Sequence, residues 1–167
     1  DLISYSLILK GYARANNIAK VKEIYSLLKK REDFQIQESL YNVILDSYAR
    51  NKYEEGCIEV FNDMKNSNST MSVMTYGIMI KLYVNLEDNK KVLRYFKEIT
   101  KPNRYKIKPS IVIYQLVLKS LVKKGEIEEA ILQFKQMILQ KLVKPDSLIF
   151  ELVMKCCIEH KKIEDAF

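Results

Sequence analysis

The chain has 167 residues, with 28 Lys and Arg against 21 Asp and Glu, a formal net charge of +7 and a pI near 9.2. Its hydrophobic content of 48%, with 11 Tyr and 6 Phe, suffices for a core, while 4 Gly and 3 Pro are too few for a turn-rich β-sandwich. The longest apolar run, IVIYQLVL, is far too short to span a bilayer. The basic balance favours a polyanionic partner such as nucleic acid, although a basic organellar or ribosomal protein has the same character.

The first stretch, Leu2–Gln37, places apolar Leu7, Ile8, Leu9 and Tyr12 after Tyr5. A polar segment, RANN, follows, and then Val21, Tyr25 and Leu28 at helical spacing. This is helix, short turn, helix. The second, Glu38–Ser72, repeats the pattern from Tyr41 with Val43, Ile44, Leu45 and Tyr48, the turn ARNK, and Cys57, Phe61 and Met64. Tyr41 and Phe61 are expected in one core between the two helices of this unit. Asn42, Asp46 and Arg50 lie four apart and form a polar stripe along the first helix. The third, Val73–Ser110, runs from Tyr76 through Tyr83 and the turn LEDNK to Val92, Phe96 and Ile99, and closes on KPS. The fourth, Ile111–Asp146, runs from Tyr114 through Leu121 and KKGE to Ala130, Phe134 and Met137, and closes on KPD. The prolines Pro109 and Pro145 stop helices there. The fifth, Ser147–Phe167, has Phe150, Cys157 and Ala166 in the same register.

The anchors Tyr5, Tyr41, Tyr76, Tyr114 and Phe150 are separated by 36, 35, 38 and 36 residues. The second aromatic of each of the first four units follows its anchor by 20 residues every time. Length variation is therefore confined to the connections between units, as expected of a rigid two-helix unit joined by tolerant loops. Slim residues sixteen beyond the anchor (Val21, Cys57, Val92, Ala130, Ala166) let the paired helices approach closely.

These residues resemble the pentatricopeptide repeat family. The fourth unit carries the likeness most fully, with the first-helix Tyr114, the turn Gly125, the EEA of the second helix, the pair Phe134 and Met137, and the closing KPD. The resemblance covers the chain as four full units and a truncated fifth, and implies an all-α solenoid of helix–turn–helix repeats in a right-handed superhelical array. Asp1 occupies a closing position and Phe167 falls inside a second helix, so the chain is expected to be part of a longer array. Tetratricopeptide repeats, which have 34-residue units, carry a Trp–Leu–Gly–Tyr signature that is absent, and the chain has no Trp.

The polar stripe recurs one, five and nine residues beyond each anchor. It comprises Ser6, Lys10 and Arg14; Asn42, Asp46 and Arg50; Gly77, Lys81 and Asn85; Gln115, Lys119 and Lys123; and Glu151, Lys155 and Glu159. The eleven residues from each anchor onward hold eight basic and three acidic side chains, so most of the positive excess lies there. From the residues alone this stripe fits a solvated face and a phosphate-contacting face equally. The resemblance implies the second, with single-stranded RNA lying along the first helices, one base per unit. It implies base-reading pairs Ser6 with Gln37, Asn42 with Ser72, Gly77 with Ser110, and Gln115 with Asp146. It places Ile3, Met74, Val112 and Leu148 against base faces, with polar Ser39 at the same position in unit two. It assigns phosphate contact to Arg14, Arg50 and Lys123, and Lys10, Lys81 and Lys119 of the same stripe are expected to contact phosphate as well. Asn42 with Ser72 is the one regular family pair and is associated with cytosine; Gly77 has no side chain to read with.

Enzyme chemistry is not expected. There is no HxE with CxxC for a zinc deaminase, and no strand pattern to hold the clustered carboxylates of a metal nuclease. His160, the one histidine, falls in the turn segment EHKKI. Cys57, Cys156 and Cys157 lack metal-ligand spacing and read as buried reduced thiols in a reducing compartment. No cofactor motif appears. The resemblance implies a mitochondrial or plastid setting, and leaves two other readings in view: a structural subunit of an organellar ribosome or similar ribonucleoprotein, and a peptide-binding helical scaffold.

Overall fold

The computed structural model describes residues 2–31, 34–67, 69–101, 106–141 and 143–159, which form nine α-helices with no strand among them. They are α1 (Leu2–Arg14), α2 (Ile18–Lys29), α3 (Glu38–Arg50), α4 (Glu54–Asn66), α5 (Val73–Asn85), α6 (Asn89–Thr100), α7 (Ile111–Lys123), α8 (Ile127–Gln140) and α9 (Ser147–Glu159). The all-α expectation holds. His160 and Ala166 lie outside the described residues. The chain divides into two compact halves, Asp1–Leu82 and Tyr83–Phe167. In the first, α1 packs on α2 and α3, and α3 packs on α2 and α4. In the second, α7 packs on α6, α8 and α9, and α8 packs on α9.

The same backbone device turns each first helix into its second. Asn16, Lys52, Glu87 and Gly125, each eleven residues past an anchor, have φ of 55, 53, 57 and 73°. The next N–H (Asn17, Tyr53, Asp88, Glu126) donates to the carbonyl five residues back (Tyr12, Tyr48, Tyr83, Leu121) at 2.9 to 3.0 Å. This is a left-handed helix stop that satisfies otherwise orphaned carbonyls. In two units the same residue then starts the second helix. The side chains of Asn17 and Asp88 accept from the backbone N–H of Lys20 and Lys91, each at 3.1 Å.

The core follows the repeat register. Val21, Cys57, Val92 and Ala130 are buried where the two helices cross, and Leu28, Met64, Ile99 and Met137 are buried one to two turns later. Leu7 and Ile8 of α1 break the pattern and stand exposed, whereas Ile44, Met79 and Val117 are covered. Their side of α1 is left open by its packing on α2 and α3.

The ring contacts of Tyr41 and Phe61 run between units. Tyr41 and Phe61 are both buried, but each finds its ring partner in a neighbouring unit. Tyr25 meets Tyr41 at 6.4 Å between centroids, Phe61 meets Tyr76 at 5.4 Å, Phe96 meets Tyr114 at 5.0 Å and Phe134 meets Phe150 at 5.5 Å, all edge-on. The second helix runs back along the first and hands the chain to the start of the next. Its aromatic therefore arrives beside the next anchor.

Candidate nucleic-acid interface

The first helices present three kinds of side chain. The first kind is apolar and exposed. Ile3, Met74, Val112 and Leu148 are 70%, 64%, 64% and 53% exposed, and each lies two residues before its anchor, in the opening turn of a first helix. Isolated exposed apolar residues are ordinary, but recurrence at one register position in both halves of the chain is not explained by burial. Ser39, at the equivalent place in α3, is also exposed.

The second kind is the set of reading pairs. Gln115 Nε2 donates to Asp146 Oδ2 at 2.7 Å, so this pair is in direct contact. Asp146 Oδ1 meanwhile accepts from the Ile149 N–H at 3.0 Å, at the start of α9. Ser72 and Ser110 do the same at α5 and α7, accepting from Met74 N–H at 3.2 Å and Ile113 N–H at 3.4 Å. Gln37 stands at the N-cap of α3 without a side-chain cap bond. The closing residues therefore have a helix-capping role that explains their Ser and Asp identities apart from any ligand. Ser6 and Gly77 are half-buried at the expected places. Asn42 departs from the expected open stripe, being buried. Its Oδ1 accepts from Thr75 Oγ1 at 2.9 Å and its Nδ2 donates to Glu38 Oε1 at 3.4 Å. The polar stripe is continuous in sequence, but Asn42 keeps 8% of its surface exposed and is bonded to Thr75 of the neighbouring helix α5.

The third kind is basic. Lys10, Arg14, Lys81 and Lys119 are exposed, and among the described residues no ion pair engages them. Arg50 and Lys123 are exposed but engaged. Arg50 Nε meets Asp46 Oδ2 at 3.0 Å, and its Nη2 donates to the Ala13 carbonyl at 3.3 Å. Lys123 Nζ meets Glu87 Oε1 at 2.9 Å, and Lys124 Nζ meets Glu87 Oε2 at 3.4 Å. These two lysines hold the Glu87 carboxyl below its usual range, chiefly through the Lys123 hydrogen bond. In the second half a cleft of about 350 Å³ is lined by Asn85, Glu87, Lys119, Ser120, Lys123 and Lys124, with Val84 and Leu116 beneath.

Glu38, Thr75 and Glu87 were not marked by the sequence pattern. Thr75 had a signal: the residue before the anchor is Leu40, Ile113 and Ile149 in three other units, so a buried hydroxyl there is out of place. Among the described residues no group of three or more His, Cys, Asp or Glu is arranged to hold a metal ion, and no helix is long and apolar enough to cross a membrane.

Comparison with known proteins identifies the repeat. The chain matches the PPR repeat over residues 3–32, 74–101 and 112–142, and the PPR repeat family over residues 37–85. It is 27% identical over 131 residues to small ribosomal subunit protein mS78 (rPPR3a) of Arabidopsis thaliana, which covers 78% of this chain and 32% of that protein. Other Arabidopsis relatives carry chloroplastic and mitochondrial designations. The chain spans about a quarter to a third of the length of the first curated relatives it matches. Its fold is similar to the PPR domain of Arabidopsis thaliana protein-only RNase P 1, solved with tRNA, at a TM-score of 0.78 and 17% identity over 96% of this chain and 82% of that one. It is also similar to maize PPR10 in complex with an 18-nt psaJ RNA element, at a TM-score of 0.69 and 18% identity over 99% of this chain and 27% of that one. With the repeat matched across more than half of its residues, and with the helix pairs, left-handed turns and register-locked aromatics in place, the chain belongs to the pentatricopeptide repeat family.

Proposed function

We propose that the chain binds single-stranded RNA on its first helices without catalysing a reaction, as part of a protein acting in a mitochondrion or plastid. The observation that carries this reading is the recurrence of exposed Ile3, Met74, Val112 and Leu148 on helices that also carry exposed Lys10, Lys81, Lys119 and Lys155. An apolar surface offers a base face a platform, and an adjacent cation meets the phosphate that the same nucleotide carries. The RNA-bound neighbours of the same fold support the ligand class, and the organellar names of relatives support the setting.

The test is a salt titration of binding to unstructured RNA oligonucleotides. Replacing Lys10, Arg14, Lys81 and Lys119 with Ala is expected to lower the slope of log K against log salt by about 3, from roughly 0.7 per lost phosphate contact. Arg50→Ala and Lys123→Ala are expected to change the slope less, because each cation already has a carboxylate partner. An unchanged slope in the fourfold variant would overturn the proposal.

A second reading is a scaffold subunit of a ribonucleoprotein. It is favoured by Leu132, Ile138 and Leu139, which stand exposed on the second helix α8, and by the ribosomal relative. Co-sedimentation with an organellar ribosomal subunit that is lost with Leu132→Ser and Leu139→Ser, but kept in the fourfold basic variant, would move it ahead.

A further inference from the structure

The amide of Asn42 is held from two sides. Thr75 is 0% exposed and donates its hydroxyl to Asn42 Oδ1 at 2.9 Å. Glu38 Oε1 accepts from Asn42 Nδ2 and lies 3.4 Å from the Thr75 hydroxyl, while Glu38 Oε2 accepts from Thr70 Oγ1 at 3.0 Å. The Thr75 hydroxyl has one proton, and the shorter contact places it on Asn42 Oδ1. Flipping the amide would turn its oxygen toward the Glu38 carboxylate, where two acceptors would face each other. The present orientation is therefore the favoured one. Each polar atom then keeps one unused valence: a lone pair on Oδ1 and one N–H on Nδ2.

We propose that Thr75 and Glu38 are positioning residues that set the order of donor and acceptor which Asn42 offers to a nucleobase. Base selectivity in unit two is thus decided partly by the first helix of unit three. This rests on the RNA-binding reading above. Cytosine and adenine present an amino donor beside a ring-nitrogen acceptor; uracil and guanine present a carbonyl acceptor beside a ring N–H. An amide that flips freely fits both orders, whereas a fixed amide fits one. No other unit has this arrangement: the residue preceding the next anchor is apolar Leu40, Ile113 or Ile149 for units one, three and four. In unit four Gln115 is held by Asp146 of its own unit.

The test uses single-stranded RNA oligonucleotides in which each position in turn carries each of the four bases, measured with wild type, Thr75→Val, Thr75→Ser and Glu38→Gln. Wild type is expected to separate the two base classes about ten-fold at one position. Thr75→Val keeps the shape but leaves Glu38 as the one group that holds the amide, and is expected to narrow the separation at that position alone, with the salt slope unchanged. Thr75→Ser is expected to restore the ranking. Glu38→Gln, at the first position of α3, can donate to a flipped amide oxygen and is expected to bring the classes within about two-fold; it serves if the buried valine impairs folding. Identical base rankings in wild type and in the folded variants would overturn the proposal. RNA binding by wild type with no base ranking at any position would overturn it while leaving RNA binding intact. Absence of RNA binding would overturn the parent reading and this inference together.

Discussion

At the four turns inside the repeat units one residue adopts a left-handed conformation, and only one of these four is glycine. An L side chain in that region costs about 1–2 kcal/mol, and Asn bears it best because its short polar side chain bonds locally. Lys52 and Glu87 have no such excuse. Glu87 at least binds Lys123 and Lys124, whereas Lys52 is exposed and its side chain has no hydrogen bond or ion pair among the described residues. Lys52→Gly is therefore expected to stabilise the chain by about 1 kcal/mol. A Cβ on Gly125 would meet nothing within 4 Å, so Gly125→Ala is expected to cost about 1–2 kcal/mol from backbone strain alone. Urea denaturation of the two variants measures both. Equal signs would show that the turn conformation is not what these residues contribute.

Between elements, the edge-on aromatic pairs couple one repeat unit to the next. Phe61 leaves α4 to meet Tyr76 of α5, and the equivalent pairs recur through the chain at 5.0 to 6.4 Å. Phe61 is 3% and Tyr76 3% exposed, so Phe61→Ala is expected to cost about 3–5 kcal/mol. A double-mutant cycle of Phe61→Leu with Tyr76→Leu should return a coupling of about 0.5–1.5 kcal/mol, the part of the ring–ring contact beyond area. Additive single mutants would mean that the rings are neighbours without interacting. In a repeat array such contacts carry stability from unit to unit, so the loss should also loosen α5 in hydrogen exchange.

For the molecule as a whole, burial makes several weak acids resist ionisation. Desolvation pushes the Cys57 thiol from an ordinary 9.0 up to about 12, and raises Tyr48, Tyr95 and Tyr114 as well. Tyr25 is raised by burial first and then by its hydrogen bond to Asp63. Each folded acid keeps its proton at a pH where the unfolded chain has lost it. Stability is therefore fully present below the unfolded values and is lost as pH rises, for Cys57 between about 9 and 12. Denaturation midpoints are expected to be flat between about pH 7 and 8 and to fall steadily above 9, with a shallower fall in Cys57→Ala. Midpoints that rise with alkaline pH would contradict the burial of these groups.

The repeat, its helix pairs and the positions of its turns were legible in the sequence because they rest on local periodicity. A tyrosine, three apolar residues and a second aromatic at constant spacing suffice to lay one face of each helix inward. The exposed Ile3, Met74, Val112 and Leu148 were legible for the same reason, since register places them at the start of each first helix. The partners across units were not legible. Phe61 lies on Tyr76, Asn42 is bonded by Thr75, and Lys123 is engaged by Glu87. In the sequence these partners stand 15, 33 and 36 residues apart. Period alone says which face a side chain occupies, but the packing of one helix pair on the next decides what it meets there. Hydrogen bonds and ring contacts act over a few ångströms, so a polar stripe that is uniform in sequence becomes buried at Asn42, paired at Arg50 and open at Lys81 once the neighbouring helix is in place.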